Sequence, residues 1–396
     1  MGETPIRVLH LGKFFPPHPG GIERFVADLA AAQVAQGMAV RVLAHAEPGS
    51  WSSRHFRAGD VEVDLAACHG QFVYAPVSPA FPRLLARAIR EFKPDVLHIH
   101  VPNTSAFWAL LSPAARRLPW VVHWHADIPL DSRRRALRLA YRLYRPWEQA
   151  LLRRARAVIA TSQPYADSSQ ALRPWRDKVR VIPLGITDIP SPACGGWLGW
   201  GENPGLRILA VGRLSYFKGF DVLLRALARV PDANLVLVGD GECADALRAL
   251  ARELGVEARV RFAGRIDMDD AGRTDLAALY ARADVFCLPS TERAESFGIV
   301  LLEAMRAGLP TIASDIPGSG AGFVVRDGET GLLVAPSDAD ALATAIQRLT
   351  ADAGLRTRMG AAGAQRFAEN FTLAAIAPQV TQLYREVLRD TTSPAL

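Results

Sequence analysis

Twice along the chain, short apolar runs alternate with helix-length stretches of mixed polarity, and this doubled alternation narrows the choice of fold more than any other feature. The first series is Ile6–Leu11, Val40–Ala44, Asp95–His100, Trp120–His125, Ala157–Thr161 and Val179–Ile182. The second is Leu206–Val211, Asn234–Val238, Val260–Phe262, Asp284–Leu288 and Thr311–Ser314. Runs this short and this apolar read as strands buried on both faces, and helical connections between them predict parallel sheets covered on both sides. A Pro- and Gly-rich stretch from Ile189 to Pro204 separates the series and reads as a linker. At 396 residues the chain is also too long for one ordinary core. The expected division is residues 1–187, residues 188–370, and a terminal segment 371–396 holding the amphipathic helix Leu373–Arg389. Two similar α/β halves facing each other across a cleft are the expected fold class.

Composition limits the setting. Apolar residues make up 49% of the chain and charged ones 22%, ordinary values for a globular protein. No run of eighteen apolar residues occurs, and Met1 to Gly12 lacks the pattern of a signal peptide. Cys68, Cys194, Cys243 and Cys287 show no paired spacing, which predicts a reducing, cytoplasmic setting. Charge is shared unevenly: residues 1–187 hold 25 Lys and Arg against 14 Asp and Glu, and residues 188–396 hold 21 against 26. A front half of net +11 and a back half of net −5 give the front half the affinity for an anionic partner.

The most informative stretch runs from Ala294 to Pro310. Asp284–Ser290 reads as a buried strand, so Thr291–Glu295 lies at its carboxyl end, where open α/β sheets bind ligands. Ser296 is a cap residue for a helix from Phe297 to about Ala307, closed by Gly308 and Pro310. The first free amides, at Phe297, Gly298 and Ile299, then form a site for a phosphate. Glu295 and Glu303 lie eight residues apart, about 10–12 Å along a helix. That exceeds the separation of a hydrolytic carboxylate pair and suits a longer ligand such as a sugar nucleotide.

In the first half, Gly12 to Gly21 joins the first strand to a helix over Ile22–Gln36, and Gly20 and Gly21 permit either close approach to a ligand or a plain turn. His98 and His100, and likewise His123 and His125, project from one face of their strands. Four histidines invite zinc, although no carboxylate or cysteine completes the ligand set; His125, with Asp127, also stands at a strand end, where an imidazole hydrogen-bonds a hydroxyl. Ser132 to Arg156 carries nine arginines, with Arg134, Arg138, Arg142 and Arg145 at helical spacing. This reads either as a helix for an anionic membrane surface or as a solvated face, with Pro146 bending or interrupting it. In the second half, Arg213 and Lys218 bracket the loop after Leu206–Val211, before a helix over Phe220–Val230, a place for cations that hold a diphosphate. Their spacing is not that of a P-loop. Asp267 and Asp269 read as a polar surface loop rather than a metal site.

Taken together, Arg213, Lys218, the run Glu295-Ser296-Phe297-Gly298-Ile299-Val300-Leu301-Leu302-Glu303 and the segment Asp327–Val334 resemble the family 4 retaining glycosyltransferases. The resemblance implies the GT-B fold of two Rossmann-like domains, the first binding acceptor and the second the nucleotide sugar. It further implies that Arg213 and Lys218 bind the donor diphosphate, that Glu303 holds the ribose hydroxyls, and that Glu295 contacts the transferred sugar. The amides of Phe297, Gly298 and Ile299 would surround sugar and phosphate. Gly20 and Gly21 match the family's donor-facing glycine loop, and His125 its histidine near the reacting centre. The terminal helix would cross back to the first domain. No metal is required by this chemistry.

His123–Ile128 and Val211–Phe220 are similar to segments of bacterial mannosyl- and rhamnosyltransferases of surface polysaccharide assembly. The donor implied is GDP-mannose or a GDP-deoxyhexose, with UDP-hexose as the alternative, and the acceptor a lipid-linked or growing glycan. A peripheral position at an anionic membrane, through Ser132–Arg156, accompanies this reading; nucleic acid is not an expected partner. Thr187 departs from the Asn or Asp many relatives carry there. A non-catalytic nucleotide-sugar-binding module and a Rossmann oxidoreductase are the competing classes. The latter lacks a Gly-x-Gly-x-x-Gly with an acid beyond it.

Overall fold

A computed structural model describes residues 5–72, 74–128, 135–188, 200, 205–266 and 270–392. The linker stretch 189–199 and 201–204, residues 132–134 of the basic segment, and Asp267 and Asp269 lie outside the described residues. The chain divides into two compact units, one of Met1–Leu184 with Leu373–Leu396, the other of Gly185–Thr372.

Among the described residues, the main sheet of unit 1 has eight strands: β1 (Arg7–Phe14), β2 (Ala39–His45), β3 (Arg54–Ala58), β4 (Val61–Ala66), β5 (Val96–Val101), β6 (Trp120–Trp124), β7 (Ala157–Ala160) and β8 (Val179–Val181). Their order across the sheet is β8-β7-β6-β5-β1-β2-β4-β3, and only β3 runs antiparallel to its neighbour. The β3–β4 hairpin is not marked in the sequence by an apolar run, because β4 alternates charged and apolar residues. Across the hairpin His55 Nδ1 lies 3.0 Å from Oδ1 of the buried Asp64, whose Oδ2 accepts from Arg41 Nε of β2 at 2.6 Å. The first strand extends to Phe14, past Gly12, so the loop between β1 and the following helix is shorter than the glycine spacing suggests.

The two faces of this sheet differ. Leu9 and Leu11, Leu97 and Ile99, and Val122 and Trp124 fill an apolar core on one face. The intervening residues His10, His98, His100 and His123 point to the other face, as the two-residue period of a strand requires. That face is covered by α1 (Gly21–Ala35) and by the final helix, Leu373–Thr392, which packs on α1.

Within the same unit, α2 (Arg135–Arg154) runs without a break through Pro146, so of the bend or interruption expected there the interruption does not occur. Proline removes one donor, leaving the carbonyl of Arg142 without its helical partner. Arg142 and Pro146 are both exposed, so water can take that position.

Unit 2 has six parallel strands, β9 (Leu206–Val211), β10 (Ala233–Val238), β11 (Val260–Gly264), β12 (Val285–Leu288), β13 (Thr311–Ser314) and β14 (Gly331–Val334), in the order β11-β10-β9-β12-β13-β14. The order reverses between β9 and β12, and the loops that follow these two strands carry Lys218 and Glu295. Neighbouring strands at such a reversal leave a crevice at their carboxyl ends.

Candidate active site

After β9 the chain makes one short turn, Tyr216–Lys218, and enters α3 (Phe220–Leu227) through Gly219. Gly219 sits at φ +66, and a Cβ there would come within 2.0 Å of the Pro289 carbonyl oxygen. Glycine therefore lets the β9 loop lie against the loop after β12, which also holds the bond from Thr291 N to Phe217 O at 2.8 Å. This contact places Lys218 beside Glu295: Nζ lies 2.6 Å from Oε2. Ser290 Oγ donates to the same carboxylate oxygen at 2.8 Å, and Ser319 Oγ donates to the Glu295 main-chain oxygen at 2.5 Å. Glu295 is 7% exposed, so its charge is matched by one cation and one hydroxyl rather than by water.

Helix α4 (Ile299–Arg306) starts two residues later than the sequence suggests, and its cap is Gly298, not Ser296. Gly298 has φ +78, in the left-handed region that glycine occupies without strain. The preceding Phe297 turns inward, 1% exposed and edge-on to Phe371, with ring centroids 6.2 Å apart. Burial of this aromatic, against the helical propensity of the run Phe297–Leu302, fixes where the helix begins. The Ile299 amide opens the helix, whereas Phe297 and Gly298 belong to the turn before it. Further along, Glu303 accepts from the buried Tyr280 hydroxyl at 2.8 Å. Arg306, in the last turn, donates to the Thr187 carbonyl at 2.7 Å, which gives that departing position a backbone role.

Arg213 differs from Lys218. It is largely exposed and pairs with Glu242 at 3.3 Å, an ion pair worth at most about 1 kcal/mol and readily exchanged for another anion.

Of the unit 1 residues singled out from sequence, Gly20 and Gly21 are exposed at the start of α1, where Gly20 is the cap residue. His125 follows β6 and is buried. Strand register explains its surroundings: His10 pairs with His98 across β1–β5, and His100 with His123 across β5–β6. The rings of His123 and His125 stack with centroids 4.2 Å apart and planes at 4°, and those of His100 and His125 at 5.3 Å and 16°. The nitrogens of His10, His98 and His100, and those of His100, His123 and His125, lie within 4.8 Å of one another, the proximity that zinc ligation asks for. The rings of His100, His123 and His125 do not suit it, because near-parallel imidazoles aim their lone pairs along separate planes, and in each group one nitrogen pair is a hydrogen bond, at 2.9 and 3.0 Å. Burial lowers His10 to about 4 and His125 to about 3, and takes His98, His100 and His123 well below the usual imidazole range, so all five are neutral at pH 7. Asp127 accepts from Trp124 Nε1 at 2.8 Å and from Ser169 Oγ at 2.7 Å, which makes it an anchor for the loop after β6.

Ser290, Ser319, Tyr280, Glu242, Gln33 and His10 were not singled out from sequence. Serine and tyrosine are common, and their roles depend on which strand ends lie side by side. His10 carried a weak signal, a polar residue flanked by Leu9 and Leu11 within a largely apolar strand.

The family described as "Glycosyl transferase 4-like domain" matches residues 20–185, and "Glycosyl transferases group 1" matches residues 202–366. The phosphatidyl-myo-inositol mannosyltransferase of Mycobacterium leprae is 34% identical over 376 residues, covering 93% of this chain and 94% of the relative. The O-antigen chain mannosyltransferase C of Escherichia coli is 29% identical, covering 97% and 99%. Among solved structures, sucrose-phosphate synthase from Thermosynechococcus elongatus superposes with a TM-score of 0.76 at 26% identity, covering 97% of this chain and 100% of that one. These matches span both units, and the two parallel-sheet domains are those of the GT-B fold. The chain belongs to the family 4 glycosyltransferases and is itself a glycosyltransferase.

Proposed function

We propose that the protein transfers a hexose from a nucleotide sugar, GDP-mannose or a GDP-deoxyhexose, to a lipid-linked or growing glycan, with retention of anomeric configuration. The observation that carries the reading is the Lys218–Glu295 pair, held at 2.6 Å beside the start of α4 by the contact at Gly219. A cation, a carboxylate and a helix N-terminus meet there, the groups that a sugar diphosphate presents oxygens and hydroxyls to. Relatives named mannosyltransferase and D-rhamnosyltransferase support a hexose or deoxyhexose, and the printed names phosphatidyl-myo-inositol and O-antigen support a lipid or polysaccharide acceptor.

In this reading Arg213 and Lys218 bind the diphosphate, with the Ile299 amide and the turn at Phe297 and Gly298 beside it. Glu295 accepts from sugar hydroxyls and Glu303 from the ribose. Gly20, Gly21 and His125 keep the roles the family resemblance gives them, a donor-facing glycine loop and a histidine near the reacting centre. The bond from the anomeric carbon to the β-phosphate oxygen breaks, the acceptor hydroxyl oxygen bonds that carbon on the same face, and its proton passes to the departing phosphate. Negative charge grows on the diphosphate as this happens, and preorganised cations and amides stabilise it there without a metal ion. Unit 1 also attaches to an anionic membrane surface through α2, where Leu139, Leu143 and Trp147 are exposed between Arg138, Arg142 and Arg145.

The test is thermal melting with GDP, UDP or ADP, each with EDTA and with magnesium, paired with sugar transfer by Lys218→Ala. Ligand at a hundred times its dissociation constant adds about 2.7 kcal/mol, so a real site shifts the melt. A GDP-selective shift that survives EDTA, with turnover reduced about 100-fold or more in Lys218→Ala, is the expected result. A UDP-selective shift would transfer the donor to UDP-hexoses. Binding without turnover would promote the non-catalytic module, and full activity in Lys218→Ala would overturn the site.

A further inference from the structure

The buried histidines of unit 1 join into one hydrogen-bonded chain that reaches His125 from the far end of the molecule's sequence. Tyr384, on the final helix, lies with its hydroxyl 2.5 Å from His98 Nδ1 and accepts from Gln33 Nε2 at 3.0 Å. Gln33 Oε1 is 2.8 Å from His10 Nε2. His10 Nδ1 is 2.9 Å from His100 Nε2, and His100 Nδ1 is 3.0 Å from His125 Nε2. The two termini, His98 Nε2 and His125 Nδ1, are buried without a hydrogen-bond partner. Every member is 1% exposed or less.

A neutral imidazole has one donor nitrogen and one acceptor, so fixing one bond fixes the next. With the Gln33 oxygen toward His10, the proton of His10 is on Nε2 and its Nδ1 accepts. His100 must then carry its proton on Nε2, and so must His125, which leaves His125 Nδ1 as a bare acceptor. At the other end the Tyr384 hydroxyl donates to His98 Nδ1, and the unpaired His98 Nε2 carries a proton. Turning the Gln33 amide over reverses every bond: His125 Nδ1 becomes a donor and His98 Nε2 an acceptor. The proton count is the same in both arrangements. The only difference at the two ends is which unpaired nitrogen is protonated.

We propose that Gln33 and Tyr384, acting through His10 and His100, hold His125 in the tautomer protonated on Nε2, so that its Nδ1 is presented as a hydrogen-bond acceptor for a sugar hydroxyl. They are positioning residues for His125, and the assignment of a hydroxyl as ligand rests on the transfer reading above. A buried acceptor without a partner is unfavourable, and a sugar hydroxyl that donates to it, once ligand binding uncovers the nitrogen, removes that penalty. The stack with His123 adds a fixed ring plane. In this structure the Gln33 oxygen faces His10 and its nitrogen faces the Tyr384 hydroxyl, so the final helix is coupled to a residue it does not touch in sequence or strand order.

The test reads the tautomer directly, in the full chain without any ligand, and so does not depend on turnover. Nitrogen-15 spectra of histidine-labelled protein distinguish the two tautomers, with His125 assigned from its loss in His125→Asn. In the wild type, His10, His100 and His125 are each expected as the Nε2-protonated form with a slowly exchanging ring N–H. Tyr384→Phe deletes one oxygen and Gln33→Met deletes the amide; in each, His125 is expected to lose that single form and show both tautomers. Spectra in which wild-type His125 is protonated on Nδ1 overturn the proposal. So does a His125 signal unchanged in both variants while each stays folded by circular dichroism. If the tautomer behaves as stated but no sugar is transferred by the wild type, the relay stands and the transfer reading falls.

Discussion

At the scale of single residues, the second unit depends on Gly219. Its left-handed backbone already excludes most side chains, and the Pro289 carbonyl oxygen occupies the space that even a methyl group would need. Unlike the far end of a flexible side chain, a backbone carbonyl cannot swing aside. We predict that Gly219→Ala lowers stability by about 1–3 kcal/mol and separates the two loops. Nucleotide affinity and turnover then fall together, because Lys218 leaves Glu295. The same melting series run on Gly219→Ala measures this, and an unchanged nucleotide-induced shift would show that the loops do not need the contact. Gly298 illustrates the limits of local reading. The sequence offers Ser296 as an ordinary cap, but the burial of Phe297 moves the start of α4 to Ile299. A capping hydroxyl is worth about 1 kcal/mol, whereas burying a phenylalanine is worth about 1.5–3, and the larger effect decides.

At the scale of elements, α2 gives the clearest contrast between pattern and placement. Its arginine spacing is legible in the sequence, but a solvated arginine face and a membrane-binding face have the same spacing. What separates them is the apolar side. Leu139, Leu143 and Trp147, at intervals of four, are 62%, 73% and 42% exposed instead of covered by the sheet. Phe107 packs on Tyr144 and Trp147, and the next residues along, Trp108 and Leu111, are exposed as well. An exposed apolar stripe edged by arginines is the composition of a helix lying in a headgroup layer. We expect Leu143→Glu to reduce pelleting with vesicles rich in anionic lipid by about tenfold, and binding of the wild type to weaken with salt. Pelleting that ignored lipid charge, salt and this substitution would remove α2 from the account of membrane attachment. Among the described residues, no helix is long and apolar enough to cross a membrane.

At the scale of the whole molecule, all nine histidines lie in unit 1 and none in unit 2. Six of them, His10, His45, His98, His100, His123 and His125, are held below the usual imidazole range by burial. Each is neutral when folded and protonates near pH 6.5 when unfolded, so the unfolded state binds more protons as pH falls below that value. Stability present at neutral pH is therefore lost toward the folded values, which for His10 and His45 are about 4. For one such ring the loss is about 1.5–2 kcal/mol between pH 7 and pH 5. Glu148 acts in the opposite sense: burial raises its carboxyl to about 7, so the stability it withholds at high pH returns as pH falls. Burial raises the Glu23 carboxyl as well, and six rings outweigh two carboxyls. Hydrogen exchange between pH 7 and pH 5 is expected to show the opening free energies of β1, β5 and β6 falling, with those of β9 and β12 little changed. An equal fall in both units would contradict this distribution.

The parallel direction of most strands and the two-unit character were determined by the sequence itself, and Glu295, Glu303, Arg213 and Lys218 stood out there as candidates, because hydrophobic period and loop chemistry are local properties. The hairpin of β3 and β4, the late start of α4, the uninterrupted course of α2 through Pro146 and the pairing of Lys218 with Glu295 were decided only in three dimensions. Each depends on what lies against the segment rather than on what precedes it. The histidines show both levels at once. Their two-residue spacing put them on one face of each strand, but it was strand register that stacked His100 on His123 and helix packing that brought Gln33 and Tyr384 within hydrogen-bonding distance. Register and helix packing are set by contacts between segments far apart in the chain, and local patterns carry no record of those contacts.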